Sequence, residues 1–88
     1  MTDTFEPRVL LRRQQVESCT GLARSSLYDH IKRGIFPKPI LLSKRSVAWP
    51  LADVTALIEA RIAGLPDTEI RRLVAVLEAA RKSAAQRD

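Results

Sequence analysis

The stretch Thr20-Gly21-Leu22-Ala23-Arg24-Ser25-Ser26-Leu27-Tyr28-Asp29-His30-Ile31-Lys32-Arg33-Gly34 decides the fold. Ala23, Leu27 and Ile31 recur at four-residue spacing and predict one buried stripe of a helix that Gly34 ends. At about 100° per residue, Ser25, Tyr28, Asp29 and Lys32 fall on the opposite, solvent-facing side, with Arg24 and Arg33 on its flanks. Upstream, Val16 faces Cys19 and Thr20 one turn later, which predicts a short first helix over Arg12 to Thr20. Gly21 stops that helix, because glycine takes the left-handed backbone conformation without steric cost. A short helix, a glycine turn and a second helix with a polar outer face make a helix-turn-helix.

Downstream, the segment from Phe36 to Pro50 changes character. Pro37 and Pro39 exclude a helix, while Ile40 to Leu42 and Ser46 to Trp49 are strand-like runs joined by Ser43, Lys44 and Arg45. The reading is a two-stranded β-hairpin with two cations at its tip. Pro50 then opens a third helix, Leu51 to Ala63, in which Leu51, Val54, Leu57, Ile58 and Ile62 form the apolar stripe and Gly64 ends it. Past a break at Leu65-Pro66-Asp67, Ile70, Leu73, Val74, Leu77, Ala80 and Ala84 predict an amphipathic helix of about four turns. Such a stripe is buried somewhere, and two destinations are open, its own domain or a second copy of the chain. Ile70, Leu73, Val74 and Leu77 are the candidate self-association residues on the second alternative. The expected architecture is mainly α. Residues 1–8 are a flexible N-terminus, and residues 9–64 are a winged helix-turn-helix with a small two-stranded β-hairpin wing. Residues 65–88 add a C-terminal amphipathic helix, with a frayed tail after Lys82.

Eighty-eight residues allow one domain with little core to spare for an enclosed active site. With 45% hydrophobic and 28% charged residues the chain is expected to fold, which argues against disorder. The apolar runs are too short to span a bilayer, and Met1 to Glu6 is polar and acidic where a signal peptide is basic and then apolar. No membrane association and a cytoplasmic location, close to a bacterial nucleoid, are the expectation. One cysteine and one histidine make neither an internal disulfide nor an ordinary zinc site, so no metal and no cofactor are expected. Nor is there a catalytic constellation: the chain has no paired-acid motif, no fitting Ser/His/Asp order and no glycine-rich phosphate loop. His30 borders the buried stripe without acidic or nucleophilic company and reads as structural. Cys19 reads as a small buried residue and Trp49 as an anchor of the wing to the core.

The net charge of +5 is unevenly spread. From Arg8 to Pro50 there are nine cations (Arg8, Arg12, Arg13, Arg24, Lys32, Arg33, Lys38, Lys44, Arg45) and two anions (Glu17, Asp29). From Leu51 onward six cations meet six anions. A positive field confined to the helix-turn-helix half is expected if that half faces a polyanion, double-stranded DNA above all. The candidate DNA-binding residues are Arg24, Ser25, Ser26, Tyr28, Lys32, Arg33, Lys38, Lys44 and Arg45. Arg24, Ser25 and Ser26 open the second helix, where free backbone amides and the helix dipole favour a phosphate. Arg24 or Lys32 can also grip guanine, and Ser25 can bond a base edge. Tyr28 suits either a phosphate contact or packing with a wet tip, and Lys44 and Arg45 suit either a DNA-touching wing or a solvated loop. Asp29 either accepts from a cytosine amine or orders a neighbouring cation; the second needs no particular depth and is preferred.

The span Leu11 to Arg61 resembles the AlpA-like and excisionase-type regulators of phages and integrative elements, within the MerR-like winged helix-turn-helix group. The matching residues are Val16; Thr20, Gly21, Leu22, Arg24, Ser25, Ser26 and Tyr28; Ile31, Lys32, Gly34, Phe36, Pro37, Lys38 and Pro39; Val47 and Trp49; and Val54, Ile58 and Arg61. Two positions depart from the family pattern. Ala23 stands where serine is usual, which removes an N-cap worth about 1 kcal/mol, and Asp29 stands where a basic residue is usual. The resemblance implies a second helix laid in the major groove and a wing reaching a neighbouring backbone or minor groove. It further implies a recombination directionality factor (excisionase) that binds attachment-site DNA cooperatively, bends it and favours integrase-mediated excision, with a phage-type integrase as partner. Transcriptional regulation of prophage genes is the alternative role, and an adaptor for an acidic protein is the remaining one.

Overall fold

A computed structural model describes the backbone of residues 9–86 and side chains as far as Lys82. The flexible lead-in expected of residues 1–8 lies outside the described residues. Seven elements follow in order: β1 (Leu10–Leu11), α1 (Arg13–Thr20), α2 (Arg24–Lys32), β2 (Ile40–Ser43), β3 (Ser46–Pro50), α3 (Leu51–Ile62) and α4 (Asp67–Gln86).

The α1–α2 turn is built as its residues dictate. Gly21 closes α1 at φ 77°, its N–H donating to the Glu17 carbonyl at 2.8 Å. Thr20 Oγ1 donates to the Val16 carbonyl and accepts from the Leu22 N–H, which ties the turn to the helix it leaves. Helix α2 starts at Arg24 with Ala23 as an exposed, extended N-cap that offers no side-chain bond. Ala23 therefore sits outside the helix, and the buried stripe expected of Ala23, Leu27 and Ile31 narrows to a buried Leu27 and a half-buried Ile31. Leu22, from the turn, packs against the core in its place.

After Gly34 the chain dives inward. Ile35, Phe36 and Pro37 are buried, and Trp49 from β3 meets Phe36 edge-on at 6.5 Å between ring centroids. Trp49 Nε1 donates to the Pro37 carbonyl at 2.9 Å, so the one polar atom of a fully buried indole is satisfied. This is the wing-to-core anchor expected of Trp49. The hairpin β2–β3 pairs Ile40 with Ala48 and Leu41 with Val47, and its register shifts before Ser43 and Ser46. The sheet is larger than the two strands expected. Leu10 pairs with Pro50 and Leu11 with Trp49, giving three strands in the order β1-β3-β2.

Helix α3 turns its core face by part of a turn from the stripe expected. Val54 and Leu57 are buried and Ile58 is packed against the core, as expected, but Leu51 is exposed and Ile62 is 80% exposed; Asp53 and Ala60 are buried instead. The cause is α4, which lies along α3. Asp53 of α3 receives Arg81 of α4. Ile70 and Val74 join the cluster of Val16, Leu27, Ile35, Phe36, Trp49, Val54 and Leu57, with Leu73 and Leu77 packed at its edge. In the single chain the stripe lies against its own domain, the first of the two destinations left open, with Ile70 and Val74 in the core and Leu73 and Leu77 half-buried at its edge. The backbone of α4 stays helical to Gln86, past the point after Lys82 where fraying was expected. Cys19 is a further correction. It is exposed, because Val16 alone turns the inward face of α1 to the core.

Candidate nucleic-acid interface

Helix α2 presents Arg24, Ser25, Ser26, Tyr28, Asp29, Lys32 and Arg33 to solvent. The amides of Arg24, Ser25 and Ser26 precede the first intrahelical bond, Leu27 N–H to the Ala23 carbonyl, and no side chain caps them. They add a fixed partial positive charge beside the Arg24 guanidinium. Tyr28 is 39% exposed. Asp29 pairs with Arg33 one turn on at 3.4 Å, the cation-ordering role preferred for it.

Arg33 is drawn away from the other cations. Its guanidinium also reaches Asp67 at the start of α4, at 3.6 Å, and Asp67 in turn holds Arg61 at 3.4 Å. Lys38 is exposed in the loop leading to β2, and Lys44 and Arg45 are exposed at the hairpin tip. Among the described residues, Arg24, Lys32, Lys38, Lys44 and Arg45 form no ion pair, whereas Arg61, Arg72 and Arg81 on α3 and α4 each hold a carboxylate. Five of the eight described cations that hold no carboxylate thus lie on α2, its exit loop and the wing, the others being Arg12, Arg71 and Lys82.

One residue escaped the sequence reading. Arg12, exposed at the start of α1, donates from Nε to the Val47 carbonyl at 3.1 Å and so places a further cation beside the wing strand. Its charge was visible in the sequence; the link to a strand thirty-five positions away was not. His30 flanks α2 away from the outer face and lines an apolar groove of about 470 Å³ with Cys19, Leu22, Phe36, Leu57 and Ile62 among others. Burial, and then the nearby Arg61 and Arg33 cations, hold its imidazole below the ordinary value of 6.5. Among the described residues no group of three or more His, Cys, Asp or Glu side chains is placed to hold a metal ion. No helix among them is long and apolar enough to cross a membrane.

The arrangement defines a winged helix-turn-helix protein, mainly α, with a hairpin wing and an added C-terminal helix. The family model described as prophage CP4-57 regulatory protein (AlpA) matches residues 9–62. The chain belongs to this family of prophage regulatory proteins. It is similar to the "uncharacterized protein ORF88" of enterobacteria phage P4, with 43% identity over 54 residues, 61% of each chain. The chain therefore spans less than two thirds of the length of that relative.

Proposed function

We propose that this chain binds double-stranded DNA sequence-specifically, with α2 in the major groove and the Lys44–Arg45 wing tip on an adjacent backbone or minor groove. The observation that carries the reading is the separation of charge. Arg24, Lys32, Lys38, Lys44 and Arg45 are exposed and unpaired among the described residues, and the arginines of α3 and α4 that hold carboxylates lie elsewhere. Arg24, Ser25 and Ser26 bind a phosphate or base edge at the amide-rich end of α2, with Tyr28 and Lys32 following along its outer face. Within that activity the first role is a recombination directionality factor acting on attachment-site DNA with a phage-type integrase. A domain of this size makes few phosphate contacts, so useful affinity calls for neighbouring copies bound side by side. A transcriptional regulator of mobile-element genes is the second role, favoured by the family description as a regulatory protein.

Mobility-shift titration of a duplex selected from a random pool by the protein itself tests the common activity. If Arg24, Lys32, Lys38, Lys44 and Arg45 each neutralise one phosphate, log K falls with log salt with a slope of about −4.5. Arg24→Ala is expected to weaken binding by about 1–3 kcal/mol, while Arg72→Ala on the far helix changes it by less than about 0.5 kcal/mol. A flat salt response would leave the adaptor for an acidic protein. Excision measured with the integrase present and this gene deleted separates the two roles: unchanged excision with altered transcripts selects the regulator.

A further inference from the structure

Helix α4 begins beyond the residues that match the family model, yet it grips the segment that joins α2 to the wing. Arg71 Nε donates to the Arg33 carbonyl, at the C-cap of α2, at 3.0 Å. Glu78 accepts the N–H of Lys38, five residues on, at 2.8 Å. Arg71 and Glu78 are seven positions apart, two helical turns, and so share one face of α4. Between the two points lie Ile35, Phe36 and Pro37, which are buried, and Gly34, beside which the Arg71 stem lies. Helix α4 is itself fixed independently of these contacts: Ile70 and Val74 are in the core, and Arg81 binds Asp53 of α3 at 2.8 Å.

We propose that α4 is a strut that sets the recognition helix α2 relative to the wing, with Arg71 and Glu78 as its positioning residues. The proposal rests on the DNA-binding reading and says how its two contact elements are kept in register. The chemistry suits the task. A guanidinium at a helix C-terminus satisfies a carbonyl left without an intrahelical donor and complements the dipole there. A carboxylate on a backbone N–H is likewise a charge-assisted hydrogen bond, stronger than a neutral one. The ion pairs of Arg33 with Asp29 and Asp67 are half-exposed and add little strength of their own. The Asp67 pair nevertheless draws Arg33 toward the start of α4.

Three measurements on the full chain test this. Arg71→Ala combined with Glu78→Ala is expected to weaken binding to the selected duplex about tenfold, the size of one charge-assisted hydrogen bond. Glu78→Gln, which keeps an acceptor, retains most of the affinity. The salt slope of Arg71→Ala stays that of the parent, because a positioning residue neutralises no phosphate; a slope shallower by about 0.9 would make Arg71 a DNA contact and overturn the proposal. Hydrogen exchange gives a readout without DNA. In the double variant the amides of Ile35 and Lys38 exchange faster while those of α3 remain protected, which separates a loosened strut from an unfolded domain. Unchanged exchange at Ile35 and Lys38, or unchanged affinity, sinks the strut. A parent protein that binds no duplex sinks the DNA reading instead, and the exchange result still decides whether α4 holds the segment.

Discussion

His30 has one flank against the core and two arginines nearby, and both disfavour its protonated form. Because its folded-state value is lowered, the unfolded chain takes up the proton first as pH falls. Stability is then fully present above about pH 6.5 and declines below it, down to the folded-state value. Thermal unfolding followed from pH 7.5 to 5.5 is expected to lose stability faster in the parent than in His30→Gln; equal losses would assign the decline to other groups. At this scale the sequence was readable where a residue's role is local. Gly21 ends a helix and Trp49 fills a core for reasons carried by their own chemistry and immediate neighbours. Asp53 was not readable in this way. It sits at the first turn of a helix like any solvated acid, and the arginine that allows it to be buried is twenty-eight positions away. Cys19 was misplaced for a related reason, since helical spacing assigns a side to a residue but not the width of the buried stripe.

Helix α4 was legible as an amphipathic element from its spacing alone, and its partner was not, because an apolar stripe carries no label for what covers it. In the fold that partner is α3, and the core face of α3 is displaced from its own apolar stripe to meet it. Ile70 is fully buried at the heart of this contact. Ile70→Ala is expected to cost about 2–4 kcal/mol in urea unfolding, with a midpoint that does not depend on protein concentration. A midpoint that rises with concentration would put the stripe between copies. The strand β1 lay below what pattern reading resolves. Two residues, Leu10 and Leu11, show no alternation, and only pairing with Pro50 and Trp49 makes them a strand.

Across the whole molecule, the division of charge was visible by counting along the chain and survives folding. In the balanced half Arg61, Arg72 and Arg81 hold carboxylates, and the basic half leaves most of its described cations open. Unpaired like charges on α2, its exit loop and the wing repel, and salt relieves that repulsion more than it weakens exposed ion pairs. Raising sodium chloride from about 0.05 to about 0.5 M is expected to raise the melting temperature by about 2–4 °C, measured by scanning fluorimetry; a fall would mean that attractive pairs dominate the surface. What counting could not supply was which cations are spent inside the protein. Arg33 and Arg12 have the same composition as Arg24, and only the three-dimensional neighbours Asp67 and Val47 distinguish them.

The closure of the sheet by β1 bears on how the chain is made. Leu11 waits for Trp49, and the cluster around them stays open until Ile70 and Val74 arrive. A ribosome therefore extrudes α1 and α2 before the side chains that seal their base. The nascent domain reaches its finished form only once α4 has left the exit tunnel.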